Sequence, residues 1–113
     1  MSFRDEAQHA AVCRALLARG ALGDLWTDAG PTARALALLE EHGAGLGSGQ
    51  RTLLLAAFAL WNNSTELRFA ELLRHLDDDN LNTIGNLLVA LSRGPDAIDG
   101  WLADWSEPRT FDA

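Results

Sequence analysis

Nine consecutive apolar residues, from Leu53 to Trp61, form the longest hydrophobic stretch of the chain. A helix that is apolar on every side is normally enclosed by other elements. Ser48 can cap such a helix at its start, and Asn62-Asn63 marks its end. The pattern therefore predicts a central helix over about 49–62.

Two helices are expected before the central one, because apolar residues there recur three and four positions apart. The first begins at a capping arrangement of Ser2 and Asp5 and ends at Gly20. For the second, Pro31 suits the first position of a helix, Ala33 to Glu41 carries the helix, and it ends at His42-Gly43. The residues between Gly20 and Pro31 are predicted to form an irregular turn.

Three more helices are expected after the central one. The first covers Arg68–Leu76, where apolar residues again recur at helical spacing. The second is capped by Asp77–Asp79 and closed by Gly94-Pro95, a common order at the end of a helix. The third is capped by Asp96 and continues to Trp105.

The fold class that follows is all-α, a compact bundle of five to six short helices around the central one. Alanine and leucine supply 40 of the 113 residues and tyrosine is absent, which favours helix over sheet. The pattern assigns 1–105 to a single helical domain and 106–113 to a C-terminal tail. All nine basic residues are arginine, a bias typical of GC-rich bacterial genomes.

Cysteine content and the N-terminus indicate the compartment. The single Cys13 excludes an internal disulfide and a zinc site built on several thiolates. The first six residues include charges where a signal peptide needs an apolar stretch. The apolar run is also far shorter than the ~20 residues of a membrane span. We therefore expect a cytoplasmic protein with no membrane partner.

The glycine-rich segment Gly43–Gly49 invites a phosphate-binding interpretation. A phosphate loop of that kind needs a lysine directly after its last glycine, whereas Gln50-Arg51 follow here. We predict instead a flexible joint between helices. Alanine in place of Gly45 or Gly47 is then expected to change stability little.

Asp78, Asn80 and Asn82 have the spacing of the first ligands in a calcium loop. The position that needs a bidentate glutamate, however, holds Val89. The better interpretation of Asp77–Asp79 is that they cap a helix and complement its dipole. No metal ligands are assigned.

Catalytic chemistry has little support in the sequence. His9, His42 and His75 fall on different predicted helices, and none has a second histidine four positions away. Cys13 lies on an alanine-rich helical stripe, where a cysteine usually packs as a small hydrophobic residue. We therefore predict no enzymatic activity, no catalytic residues and no cofactor.

The segment from Phe69 to Leu88 resembles the helix-turn-helix of bacterial transcription regulators, with the second helix in the reading position. Asn80, Asn82, Thr83 and Asn86 are placed to meet base edges in that arrangement. The charge opposes DNA binding, because residues 77–113 hold eight acidic and two basic side chains. A regulator of this type remains an alternative function.

The segment Leu53–Leu91 also resembles small uncharacterised bacterial domains. In these an apolar helix ends in Trp-Asn, here Trp61-Asn62, and a Leu-Asp pair, here Leu76-Asp77, precedes a final leucine-rich helix. The likeness covers about a third of the chain. It implies an all-helical fold and no known activity.

A protein-interaction or regulatory module is the function that the sequence favours, because a compact acidic domain without a site usually works through its surface. The net charge is −7, and four tryptophans are many for this length. Trp101 is expected to be buried and Trp105 to lie at the margin of a contact patch. The candidate interaction surface comprises Trp101, Trp105, Asp99, Asp104, Asp77, Asp78 and Asp79.

The expected partner is a protein or a second copy of the chain, and nucleic acid and small molecules are disfavoured. An aromatic patch ringed by acid suits an arginine-bearing helix as well as self-association. An immunity or antitoxin-like protein, whose acidic face neutralises a basic partner, is a narrower alternative.

Overall fold

The computed structural model describes residues 3–62 and 65–105, with the backbone alone for Trp105. These residues form six α-helices and one short two-stranded sheet. The helices are α1 (Glu6–Ala18), α2 (Ala33–Glu40), α3 (Ser48–Asn62), α4 (Phe69–His75), α5 (Asp78–Arg93) and α6 (Pro95–Trp105). The predicted all-α bundle is confirmed, and its radius of gyration of 13.2 Å fits a compact chain of this length. The predicted tail, 106–113, lies outside the described residues.

Capping side chains explain where three of the helices begin. Asp5, Thr32 and Asp77 each accept a hydrogen bond from the backbone N–H three residues later, at 2.8, 3.2 and 2.8 Å. The predicted caps Asp5 and Asp77 are thus confirmed, whereas Ser2 lies outside the described residues. Ser48 and Asp96, also predicted as caps, lie instead within the first turns of α3 and α6.

The stretch predicted as an irregular turn contains a 3₁₀ turn, Gly23–Leu25, and a small hairpin of β1 (Trp26–Thr27) and β2 (Gly30–Pro31). The strands are antiparallel, with Trp26 opposite Pro31. The prediction that Pro31 opens a helix is wrong. Its fixed φ also suits an extended strand at a sheet edge, where no N–H is needed, and Thr32 caps the helix instead.

The hairpin is positioned by a cluster of aromatic rings. Trp26 makes edge-to-face contacts with Phe58 and Trp61, with ring centroids 5.0 and 5.7 Å apart. Gly30 has a φ of +115°, and a Cβ added there would lie 2.6 Å from Cζ2 of Trp61. Only glycine therefore fits where the hairpin crosses the Trp61 ring.

The core consists of two clusters of buried residues, and α1 lies between them. Cys13 and Leu17 of α1 belong to the first cluster, with residues of the hairpin, α2 and α3. Val12 and Leu16 of α1 belong to the second, with residues of α5 and α6. Leu60 of α3 packs against both clusters. Helix α1 thus joins the two halves of the bundle.

The apolar faces of helix α3 are buried to different extents. Leu54, Ala57 and Phe58 are buried in the first cluster. Ala59 and Leu60, from the same apolar run, are only half-buried. The bundle therefore leaves one apolar side of α3 partly open.

Neither α3 nor any other helix among the described residues is long and apolar enough to span a membrane.

The joint Gly43–Gly49 is more specifically shaped than the sequence indicates. Gly43 and Gly45 have φ values of +73° and +86°, which favour glycine. This φ argues against the expectation that alanine at Gly45 changes stability little, because a side chain there strains the backbone. Gly47 has no positive φ, and the expectation stands for that position.

Candidate functional site

Trp101, predicted as part of an interaction surface, is a core residue. It is 4% exposed and lies in the second core cluster with Ile98 and Leu91. Its indole Nε1 donates a hydrogen bond of 3.0 Å to the carbonyl of Thr83. Trp101 is thus buried, as expected, and fixes α6 on α5. The side chain of Trp105 lies outside the described residues.

Asp99 is engaged within the molecule. Its carboxylate accepts a hydrogen bond from Gln8 Nε2 at 2.9 Å and pairs with the Arg4 guanidinium at 2.7 Å. The hydrogen bond from Gln8, and then that from Arg4, hold the pKa of Asp99 below its usual value. Asp99 therefore ties the N-terminal segment to α6, while Asp104 is exposed near the end of that helix.

The three consecutive aspartates lie elsewhere. Asp77 caps α5, and Asp78 and Asp79 stand in its first turn, where they complement the helix dipole. Asp99 lies close to the opposite end of α5, which spans 16 residues, or about 24 Å. The structure does not bring Asp77–Asp79 and Asp99 together in one patch.

His9 and Cys13, both on α1, make different contacts. His9 stacks on Phe3 with ring centroids 4.1 Å apart, and its Nε2 lies 2.7 Å from the carbonyl of Leu60. Cys13 is fully buried, and burial raises the pKa of its thiol to about 12. Among the described residues, no three His, Cys, Asp or Glu side chains form a group that could hold a metal ion.

Sequence reasoning missed an apolar groove of about 370 Å³ between α3, α4 and α5. Thr65 is the one polar residue among the described residues that line it. Its floor includes Ala56 and Ala59 of α3, and its walls include Phe69 and Leu72 of α4 and Ile84 and Leu88 of α5. This set is called the apolar groove below.

The groove exists because α4 is poorly covered. Phe69, Leu72 and Leu73 form the apolar face of this seven-residue helix, yet none of its residues is buried. Phe69 is 71% exposed and Leu73 60% exposed. The small side chains of Ala56 and Ala59 leave space beneath α4 that larger residues would fill. Helix α4 therefore presents apolar surface to solvent beside an apolar concavity.

One sequence signal for the groove lies on α5. Leu87 and Leu91 are buried, but Leu88 is 55% exposed. Leu88 extends the apolar arc of α5 beyond the face that the core covers, toward α4. An apolar arc wider than one contact requires can indicate a second contact surface.

A polar cleft of about 310 Å³ lies on the other side of α4. Arg51, Arg68, Glu66, Glu71 and His75 contribute to its lining. Glu71 Oε2 lies 2.9 Å from His75 Nε2, one turn further along α4. The cleft mixes two arginines with two glutamates, so its charges do not select a ligand of one sign.

The α4–α5 pair has the order of a helix-turn-helix but an unfavourable charge distribution. The N-terminus of a recognition helix meets the bases. In α5 that end carries Asp77–Asp79, which repel phosphate. Arg93 stands at the opposite end of α5, away from Asn82. The structure therefore has acidic side chains at the end of α5 where DNA binding requires basic ones.

Comparison of the chain with protein-family models, with curated proteins and with solved structures finds no match. The apolar groove is the feature of the described residues that most needs a functional explanation, because two of their five exposed large apolar side chains, Phe69 and Leu88, line it.

Proposed function

We propose that the protein is an interaction or regulatory module that binds a helical segment of a protein in the apolar groove. One observation carries this proposal: Phe69 of α4 and Leu88 of α5 are more than half exposed and line the same apolar concavity. Burying a large apolar side chain releases about 1.5–3 kcal/mol. A partner that covers both walls gains that free energy, whereas the isolated chain forgoes it.

The chemistry of the groove favours a protein segment over a small molecule. Small-molecule sites carry a few polar groups that fix the orientation of the ligand. Thr65 is the one such group among the described lining residues. An amphipathic helix needs no such groups, because it lays a stripe of apolar side chains into a groove. The net charge of −7 then acts mainly on the rate of encounter and on which partners are repelled.

Affinity capture from the native cell tests the proposal with a matched pair of variants. Leu88→Ser alters the groove, and Val89→Ser alters the next residue of α5, which is 50% exposed and lines a different cleft. We expect wild type and Val89→Ser to retain the same stoichiometric protein and Leu88→Ser to lose it. Circular dichroism confirms that both variants fold. Equal retention by the two variants contradicts binding through the groove.

A further inference from the structure

We propose that α4 is a lid over the apolar groove, which turns about its own C-terminal end and closes when no partner occupies the groove. The inference rests on the proposed function, since it takes the groove to be the binding surface. It adds a means of regulation, because the chain covers its own binding surface with Phe69 until a partner takes its place.

The first support is that the two ends of α4 differ in burial. Phe69, at the start of the helix, is 71% exposed, whereas Leu76, directly after its end, is 6% exposed. A Cβ added to Gly49 of α3 would lie 3.1 Å from the carbonyl oxygen of His75, so the two helices are in close contact there. The C-terminal end of α4 is thus the anchored end, and Phe69 stands at the other.

The second support is that α4 has open space on both sides. The apolar groove of about 370 Å³ lies on one side, and the polar cleft of about 310 Å³ lies on the other. No residue of α4 is buried, so a small rotation of the helix disrupts little of the core. Phe69 lies about 10 Å along the helix from Leu76, so a rotation of ~20° about the anchored end moves its Cα by about 4 Å. A modest rotation therefore carries the phenyl ring further into the groove.

The third support is that closure buries apolar surface without burying charge. The described residues that line the groove include no charged side chain. Its floor includes Ala56 and Ala59, whose small side chains leave room for a phenyl ring. Burial of Phe69 against this floor is favourable. Arg68 and Glu71 line the polar cleft on the other side and stay in water as that cleft widens.

Thiol modification of two reporter variants tests the lid. Ala59→Cys adds a thiol to the floor of the apolar groove, and Leu55→Cys adds one to the lining of the polar cleft. The native Cys13 does not interfere, because it is fully buried and the pKa of its thiol is raised to about 12. The rate of reaction with a small disulfide reagent then reports the exposure of each side of α4.

Phe69→Ser is combined with each reporter, because it removes the side chain that closes the groove. The reaction rate of the Ala59→Cys thiol should rise at least ~3-fold, as expected when about two thirds of the molecules are closed. The rate of the Leu55→Cys thiol should fall, because the open position of α4 narrows the polar cleft. Leu73→Ser is the matched control and should change neither rate, since Leu73 is 60% exposed on α4 but is not among the described residues that line the groove. Circular dichroism checks that the variants fold.

The direction of the two changes distinguishes a lid from a loosened helix. Rates that rise together at both reporters overturn the lid, because a destabilised α4 exposes both of its sides. An unchanged rate at the Ala59→Cys thiol overturns it as well.

The capture experiment tests the proposed function separately. If the reporter rates do not change but Leu88→Ser loses the captured protein, the proposed function stands and the lid is wrong. If the rates change in opposite directions but Leu88→Ser retains the protein as Val89→Ser does, α4 closes the groove and the proposed function is wrong.

Discussion

The side-chain amide of Gln8 donates hydrogen bonds to Asp99 Oδ1 and to the carbonyl of Pro95, both at 2.9 Å. Gln8 lies in the first turn of α1 and is only 5% exposed, whereas Pro95 and Asp99 belong to α6. Its Oε1 accepts from the backbone N–H of Arg4 at 2.7 Å. A nearly buried amide is thus fully used to join α1, α6 and the N-terminal segment.

Asp99→Asn should lower stability at neutral pH and reduce the loss of stability in acid. The hydrogen bonds from Gln8 and Arg4 lower the folded-state pKa of Asp99. A carboxylate of this kind stabilises the fold above its unfolded pKa of ~3.9, and the contribution disappears as pH falls through the lower folded value. Chemical denaturation at a series of pH values should show the gap between wild type and variant closing below about pH 4.

Asp104→Asn is the control for that experiment, because it removes one carboxylate from the same helix at an exposed position. Its difference from wild type should vary less with pH than that of Asp99→Asn. Equal pH profiles for the two variants would show that the Gln8–Asp99–Arg4 network adds nothing beyond net charge.

Trp101→Phe should destabilise the protein by about 1–3 kcal/mol, because it removes the donor to the Thr83 carbonyl at a buried site. The substitution keeps most of the apolar volume, so it tests the hydrogen bond more than the packing. Denaturant unfolding measures the loss. A change under ~0.5 kcal/mol would mean that the indole N–H contributes little to docking α6 on α5.

Cys13 should resist thiol reagents as long as the protein is folded. Its side chain is fully buried, and Sγ donates to the carbonyl of Ala57 at 3.4 Å. With a pKa raised to about 12, the thiolate fraction at pH 8 is only about 10⁻⁴. Labelling should appear in step with unfolding along a denaturant series. Stoichiometric labelling of the native protein within minutes would contradict the burial of Cys13.

The sequence predicts the helices well because their signals are local. The i, i+3, i+4 stripe of α5, its cap at Asp77 and its closing Gly94-Pro95 pair act within one or two turns. Pro31 lies in β2 and not in a helix, because proline suits an extended strand as well as a first helical turn. Local signals therefore predict most of the helices, and the prediction is wrong where one residue suits both a helix and a strand.

The candidate site was not predictable in the same way. The stripe of Phe69, Leu72 and Leu73 on α4 has the same spacing as a core-facing stripe, so the pattern predicts that it is covered. Whether such a stripe is covered depends on how α3 and α5 diverge around it, and short-range spacing contains no information on that. Trp101 shows a related ambiguity, because its helical spacing predicts burial, its residue type also suits an interface, and the structure has it in the core.

Gly45→Ala should cost roughly 1–2 kcal/mol, whereas Gly47→Ala should be neutral or slightly stabilising. Gly45 has a φ of +86°, although nothing lies within 4 Å of an added Cβ, so the cost arises from the backbone alone. At Gly47 an added Cβ meets only Gln50 Oε1 at 3.7 Å. Thermal unfolding of the two variants compares them directly. Equal midpoints would show that the joint relaxes to accommodate either alanine.

The backbone amides of α4 should exchange with solvent deuterium at least ~100-fold faster than those of α1. Helix α4 has no buried residue, whereas α1 contributes Val12, Leu16 and Cys13 to the two core clusters. Opening α4 therefore exposes little additional apolar surface, but opening α1 disrupts both halves of the core. Exchange is measured at ~1 µM, where weak self-association contributes little. Protection of α4 equal to that of α1 under these conditions would show that α4 is as firmly held as the core.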